Sequence, residues 1–299
     1  MSRASAPPSS IIVAFAVGCL GIAVFSSMDA VVKGLTIAIG TYNTLFWRGL
    51  AGIPLAGIPW LLRRPNWPTG KILRLHIWRG VVCAVMAFLF FWGLARTPMA
   101  QAIALTFIAP LIAQGLAVLL LGERLKRSAL IGSALGLAGV IVILGGAAHQ
   151  EAGPETLLGT AAIILSALCY AYNIILMRQQ SQVADPYEVA FFQNVTVATC
   201  LALVAPWFAV VPSGEHVPMI ILASALASLS LFLLAWAYAR AEASYLAPVE
   251  FTAFIWASLW GWVMFSEPVG LLTALGAALI VAGCLIAARA GNIERDVIA

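Results

Sequence analysis

The feature that most constrains this chain is a recurrence of apolar runs, each about 20 residues long, separated by links too short to hold a domain. Charged or Pro/Gly-marked breaks divide it into ten runs, at 11–35, 43–62, 73–95, 98–121, 128–146, 156–177, 187–211, 217–239, 244–265 and 270–289. Each is long enough to cross a hydrocarbon core of about 30 Å as a helix. Lipid offers no partner to an exposed peptide group, so spans must be helices or a closed barrel, and the period-two alternation of a barrel is absent. Links such as Arg96-Thr97-Pro98 and Arg240-Ala241-Glu242 make neighbouring spans antiparallel hairpins. The composition agrees: of 299 residues 63% are hydrophobic and 9% charged, where a soluble domain carries about 25% charged residues. A soluble enzyme, a nucleic-acid binder and a single-anchor receptor are thereby excluded. The first run exceeds the apolar core of a signal peptide, about 7–15 residues, and is expected to be retained as a span.

The basic residues set an orientation. With the N-terminus inside, thirteen of the 16 Lys and Arg residues fall on the inner side, including Arg63, Arg64, Lys71, Arg74, Arg79, Arg124, Lys126, Arg127, Arg178 and Arg240. Only Lys33 and Arg96 fall outside, and Arg48 lies within the second span. That bias places both termini in the cytoplasm of a multi-pass protein of the cell (inner) membrane. The net charge of +4 is then topology and anionic-lipid contact. Cys19, Cys83, Cys169, Cys200 and Cys284 all sit in apolar runs without a CxxC pair, and read as packing residues.

The chain repeats itself. Trp92–Val142 laid over Trp236–Ile286, a shift of 144, aligns Trp92/Trp236, Arg96/Arg240, Phe107/Phe251, Glu123/Glu267, Gly132/Gly276 and Gly139/Gly283 without a gap. A shift of 145 aligns Tyr42/Tyr187 and Phe46/Phe191 and sets Lys33 over Arg178. Such a shift contains five spans, an odd number, so equivalent positions face opposite sides of the membrane. Inverted repeats suit alternating access, because each half can adopt the other's shape and so exchange which face is open. The expected fold class is an all-α integral membrane protein: ten transmembrane helices in two inverted-topology five-helix repeats, residues 11–146 and 156–289, around a central cavity.

Two span ends, Leu119-Leu120-Leu121-Gly122-Glu123 and Val263-Met264-Phe265-Ser266-Glu267, are each followed by a glycine-rich span, Gly132 to Gly139 and Gly276 to Gly283. With Phe107-Ile108-Ala109-Pro110 in the fourth span, these segments resemble the drug/metabolite transporter superfamily, of the type with two tandem EamA repeats. The second copy has Phe254 where the first has Pro110. The resemblance implies that spans 1, 3, 4, 6, 8 and 9 surround a substrate cavity and that spans 5 and 10 pack peripherally. It also implies a substrate among amino acids, nucleotide sugars, sugar phosphates or cationic drugs. The compact size resembles the metabolite exporters, the aromatic amino-acid branch among them.

Ionisable groups inside a span are costly, about 2.5–3.5 kcal/mol at the centre by insertion scales, and each is a functional candidate. Asp29 either lines the cavity as a proton or amine site, or pairs with Lys33 at i, i+4. Arg48 either meets a substrate carboxylate through its bidentate fork or snorkels to the interface. Glu250, matched by Thr106 in the first copy, is the carboxylate best placed to meet an ammonium or carry a proton. Glu123 and Glu267 read as helix-start groups that accept backbone N–H bonds. On the cavity spans the substrate-binding candidates are Gln101, Thr106, Gln114, Tyr170, Asn173, Ser230, Tyr245, Glu250 and Trp256, each with interhelical bonding or packing as the alternative. Pro110 and Pro248 interrupt helix ladders and are expected to bend their spans as hinges. Trp47, Trp60, Trp67, Trp78, Trp92, Trp207 and Trp236 lie near span ends, where an interfacial belt belongs.

A secondary transporter of small metabolites, with amino acids (aromatic or otherwise apolar) first and organic cations or another metabolite second, fits these features best. A membrane enzyme would need clustered His, Cys or carboxylates; His76, His149 and His216 lie apart, and no HExxH occurs. No metal site, no cofactor and no nucleotide-binding sequence is expected. The expected partners are a small-molecule substrate and membrane lipid, not nucleic acid, and the chain is expected to act as a monomer or homodimer.

Overall fold

A computed structural model describes residues 8–63, 66–121, 127–149, 153–180, 182–238, 240, 246 and 249–298. Among these residues the regular structure is all helical: α1 Pro8–Ile39, α2 Thr41–Leu61, α3 Lys71–Leu94, α4 Met99–Thr106, α5 Ala109–Leu121, α6 Arg127–His149, α7 Pro154–Gln180, α8 Pro186–Ala202, α9 Ala205–Phe208, α10 Val217–Tyr238, α11 Ala253–Phe265 and α12 Leu271–Ile298. Ile12–Ile39, Lys71–Leu94, Pro154–Met177 and Val217–Tyr238 are long and apolar enough to cross a membrane, and Met99–Ala113, Leu130–Gly146, Val249–Phe265 and Leu271–Ile286 are shorter apolar helical stretches. The chain is an all-helical membrane protein.

The helices end where local chemistry stops them. Gly40, at φ 80°, turns α1 into α2, a left-handed conformation that glycine adopts without a Cβ penalty. Asp185 caps α8, accepting the backbone N–H groups of Tyr187 and Glu188, with Pro186 at the first helical position. The run 187–211 is not one helix: it breaks at Leu203 and Val204, and a single turn, α9, carries Pro206 near its start.

The fourth span breaks between α4 and α5 at Phe107 and Ile108, just ahead of Pro110. Pro110 has no N–H, and its ring displaces the carbonyl one turn earlier. The Thr106 hydroxyl donates to the Ile103 carbonyl at 2.7 Å, so one of the freed carbonyls is bonded. The second copy turns at Thr252, whose hydroxyl donates to Val249 O at 2.6 Å. Both copies therefore bend beside the matched Phe107 and Phe251, although only the first has a proline at the matched position. A threonine on the preceding carbonyl is common to the two bends. Pro248, the other expected bend, lies outside the described residues.

Helix packing follows the repeat. The main partners are α6 with α12, α1 with α10, α3 with α7, and α2 with α8. Exchanging the copies (span 1 for 6, span 3 for 8, and so on) returns the same set of pairs. The α6–α12 contact is built from glycine. A Cβ on Gly139 would fall 2.5 Å from the Gly276 carbonyl oxygen and 3.1 Å from the Ile280 nitrogen. At the matched positions, a Cβ on Gly283 would fall 2.5 Å from Gly132 O and 3.1 Å from the Gly136 nitrogen. Phe107 and Phe251 themselves meet edge to face at 5.4 Å. Spans 5 and 10, which the resemblance put at the periphery, thus form the most extensive helix pair, and the Gly132/Gly136 motif is used within the chain.

Gly139→Val and Gly283→Val are expected to destabilise the detergent-solubilised protein by about 1–3 kcal/mol each, because the backbones must separate. Gly145→Ala, where a Cβ meets nothing within 4 Å, is expected to be neutral or mildly stabilising; reversible unfolding in mixed micelles measures all three.

Candidate functional site

Two polar networks sit at opposite ends of α3, a helix of 24 residues and so about 36 Å long. At its C-terminal end Lys33, only 2% exposed, gives its ammonium to the Thr97 carbonyl at 2.8 Å and to Glu267 Oε1. Glu267 Oε2 accepts the Met99 backbone N–H at 2.7 Å. One carboxylate therefore neutralises a buried lysine and satisfies an orphan N–H at the start of α4. Glu267 is a helix-start group, as its position suggested, though for a helix distant in sequence. Lys33 is spent on it, so the Asp29–Lys33 pair does not form. Glu123 lies outside the described residues.

At the N-terminal end of α3, His76, Arg79 and Cys83 share one face and meet α7 and α8. Arg79 donates from Nε to Asn173 Oδ1 at 3.0 Å and from Nη1 to Gln180 Oε1. Cys83 donates to the same Asn173 oxygen at 3.3 Å. Gln180 also meets His76 Nδ1, and His76 Nε2 lies 2.7 Å from Glu188 Oε1. His76 stacks on Phe192, beside the aromatic cluster of Trp60, Trp67 and Phe191. Trp60 is fully buried there, which removes it from the interfacial belt; Trp67, Trp78 and Trp207 are exposed. Arg79, counted above as a span-end orientation signal, is 6% exposed and about two turns into its helix. Sequence reading missed this network; the signal that could have found it is the polar spacing 76, 79, 83 on α3 and 173, 180 on α7.

Glu250 is exposed, and its Oε1 accepts the Tyr238 hydroxyl at 3.0 Å. Tyr170 on α7 is 37% exposed. An exposed carboxylate inside an apolar span faces water, because lipid would not hold it. Glu250 and Tyr238 thus stand together, both exposed, at and beyond the end of α10. Tyr238 was not among the sequence candidates, although it ends a span where a polar-tipped aromatic belongs.

The other candidates divide. Gln101 is 5% exposed and donates to Thr160 Oγ1 at 3.3 Å, tying α4 to α7. Ser230 is fully buried and donates to Gly21 O at 2.9 Å, tying α10 to α1. Asn173 holds Arg79, Thr106 bonds its own helix, and Trp256 packs on Ile22, Leu246 and Val249 with partners from α1 and α10. The Gln114 side chain and Tyr245 lie outside the described residues. Asp29 is 2% exposed, and its Oδ1 has no hydrogen-bond partner. Arg48 Nε is likewise buried and unbonded, while its guanidinium lies 5.8 Å from the Phe91 ring centroid and 3.9 Å from Met28 Sδ. Asp29 and Arg48 sense one another electrostatically without reaching ion-pair distance. Arg48 thus points into the bundle and does not snorkel outward. A separate cavity of about 330 Å³ opens at the Lys33 end between Thr36, Tyr42, Asn43, Trp92, Arg96 and Phe208, and none of the candidates lines it.

Against known proteins, the pattern of the EamA-like transporter family matches residues 11–145 and again 157–289. The riboflavin transporter of Rhizobium johnstonii is 30% identical over 303 residues, covering 96% of this chain and 94% of its own. The pseudopaline exporter CntI of Pseudomonas aeruginosa is 25% identical over 268 residues, covering 89% of this chain and 92% of its own. A solved crystal structure, 22% identical, superimposes with a TM-score of 0.58 over 92% of this chain and 97% of that one, a likeness of fold alone.

Lys33→Met is expected to cost about 1.5–3 kcal/mol, since it takes the charged partner from Glu267, a carboxylate 22% exposed. The double variant Lys33→Met/Glu267→Gln is expected to recover most of that loss, because a neutral amide still accepts the Met99 N–H. A thermal unfolding series in detergent reads the difference.

Proposed function

Because this chain belongs to the EamA-like transporter family, a family of membrane transporters and not of enzymes, we propose that it is a secondary carrier that exports small metabolites by alternating access, with aromatic or other apolar amino acids as substrate. Ten spans form two five-helix halves, 11–146 and 156–289, inverted relative to one another across the inner membrane, with both termini cytoplasmic. Support for the inversion comes from the matched contacts Gly139–Gly276 and Gly283–Gly132 and from a helix-pairing pattern unchanged when the halves are exchanged. In this orientation Lys33 and Glu267 close the outer side, and Glu250 lies toward the cytoplasm, where an exporter collects its load.

The observation that carries this reading is the Glu250 carboxylate, exposed within an apolar span and hydrogen-bonded by Tyr238. It is suited to a substrate ammonium. The relatives named above differ in cargo, so the cargo of this chain rests on its own residues. Pro110 and Pro248 are the hinges on which the fourth and ninth spans rock, a reading supported by the break ahead of Pro110 and the turn at Thr252. Asp29 and Glu250 are the proton carriers available to such a cycle. An exporter of organic cations is the second reading, favoured by the same carboxylate if nothing opposes it.

Vesicles of pure protein preloaded with phenylalanine are expected to accelerate uptake of labelled phenylalanine, and Glu250→Gln to lower that counterflow at least about tenfold, the worth of a charge-assisted contact. Counterflow of tetraphenylphosphonium with none of phenylalanine transfers the assignment to the cation reading. Absence of counterflow for every solute removes the carrier altogether. Pro110→Ala is expected to slow exchange while leaving membrane insertion intact, as cell-fraction blots beside the transport assay show.

A further inference from the structure

The cavity of about 330 Å³ between the end of α1, the start of α2 and the end of α3 lies apart from Glu250 and Lys33, neither of which lines it. What it holds is therefore a separate question from the carrier reading above. Its volume falls at the lower end of the range of small-molecule sites, about 300–1,000 Å³. Tyr42, Phe88, Trp92 and Phe208 turn aromatic surface into it. Folded interiors leave few gaps wider than a water, and rings that face a gap forfeit dispersion contacts. The wall is nonetheless held from behind. Tyr42 donates its hydroxyl to Leu201 O at 2.7 Å, and its ring meets that of Phe208 at 5.9 Å. Asn43 donates to Ile39 O at 3.2 Å, and its Oδ1 accepts the Val210 N–H at 2.8 Å. These bonds fix the turn between α1 and α2 against the segment that carries Phe208.

Two polar groups complete the wall. Thr36 is 5% exposed, and its hydroxyl is buried without a hydrogen-bond partner. Thr44, Thr97 and Thr160 each give their hydroxyl to the carbonyl one turn earlier, the usual resort of a threonine in a helix. Thr36 does not. Arg96 is the one charged residue among those that line the space. Its guanidinium lies 3.8 Å from the Trp92 ring centroid, and Nη1 donates to the Trp92 carbonyl at 3.1 Å. Glu155 accepts its Nε at 2.8 Å from a position 73% exposed, and an ion pair that open to water does little to neutralise it. The wall is aromatic and positive, which suits an anion carried on a flat apolar body.

The second copy separates frame from site. Phe88, Trp92 and Arg96 match Phe232, Trp236 and Arg240 at the shift of 144, and Tyr42 matches Tyr187 at 145. Arg240 stacks on Trp236 at 4.0 Å and donates to its carbonyl at 3.2 Å, as Arg96 does with Trp92. The stacked pair is thus common to both halves. Gly40 and Asn43, which line the cavity, match Asp185 and Glu188 instead. Asp185 caps α8, and Glu188 meets His76. The first copy lacks the carboxylates that would repel an anion beside this frame.

We propose that the cavity is a binding site for a small aromatic carboxylate, which sets its ring among Tyr42, Trp92 and Phe208 and its carboxylate on Arg96, and gives the Thr36 hydroxyl the partner it lacks. An amine of the same shape meets a guanidinium and is rejected. An aliphatic acid pairs with Arg96 and leaves the rings facing a gap.

The test is equilibrium dialysis of labelled 3-phenylpropionate against the purified protein in detergent, with micelles alone as the blank. Wild type is expected to bind one equivalent saturably, and phenethylamine and hexanoate to compete at least about tenfold more weakly than unlabelled 3-phenylpropionate. Arg96→Gln is expected to weaken binding about 10- to 100-fold, the range of a charge-assisted hydrogen bond, and Arg96→Lys to restore part of it. Arg240→Gln, at the matched position, is expected to leave binding unchanged. Thr36→Val keeps the shape of the side chain. It is expected to weaken binding about fivefold, as loss of a neutral hydrogen bond does, and to raise the melting temperature of the ligand-free protein, since an unpaired hydroxyl is gone; a hydroxyl that served the fold alone would lower it. Absence of saturable binding by the wild type overturns the site, as does a folded Arg96→Gln that binds like the wild type. Should Arg96→Gln not fold, undiminished binding by Thr36→Val overturns it. Displacement of 3-phenylpropionate by phosphatidylglycerol gives the cavity to lipid and overturns it too. Counterflow is read in its own assay, so silence there removes the carrier and leaves this site, and absent binding here leaves the carrier.

Discussion

A chain in a bilayer has no water to turn to, so each polar group must find its partner within the protein. Helices meet that demand along their length, and the difficulties gather at the breaks. Thr106 and Thr252 donate to carbonyls beside the two bent spans. Glu267 reaches the first N–H of α4 and the ammonium of Lys33 together. Ser230 and Gln101 close donors between neighbouring helices. Most polar residues inside the membrane are accounted for in this way, and their role is to let irregular backbone exist at that depth.

That accounting isolates the few groups left over. Among the described residues Glu250 meets a phenol and no cation at ion-pair distance, and Asp29 and Arg48 each bury an atom without a partner. Leaving a charged group unpaired costs several kcal/mol, so these positions work against stability. The α3–α7–α8 network has the complementary task. By holding Arg79 on neutral amides it fixes direction without cancelling charge, which a carboxylate in the place of Asn173 would do.

The mechanical frame is simpler. Glycines at matched positions in α6 and α12 bring two backbones into contact, where dispersion between main chains replaces the hydrophobic effect that lipid removes. The contacts repeat with the halves exchanged, and Phe107 meets its own counterpart Phe251. A joint of this kind belongs equally to both halves. The bends beside the two phenylalanines fall next to it.

The sequence alone determined that this chain is helical and membrane-embedded, where most spans run, and that one unit occurs twice, because run length, lipid chemistry and residue matches at constant offset are all local or one-dimensional quantities. It also marked Glu250 and Asp29 as costly, since the price of a charge in a span depends little on neighbours. Partnership was another matter. Lys33 sits four residues from Asp29 yet pairs with Glu267, across 234 positions; Trp60 reads as a belt residue and lies in a buried aromatic cluster; Arg79 reads as an orientation signal and lies among three helices. Spacing along a helix says which residues share a face, and only the packing of helices decides what that face meets, because the choice among partners is made by contacts between segments 94 to 234 residues apart.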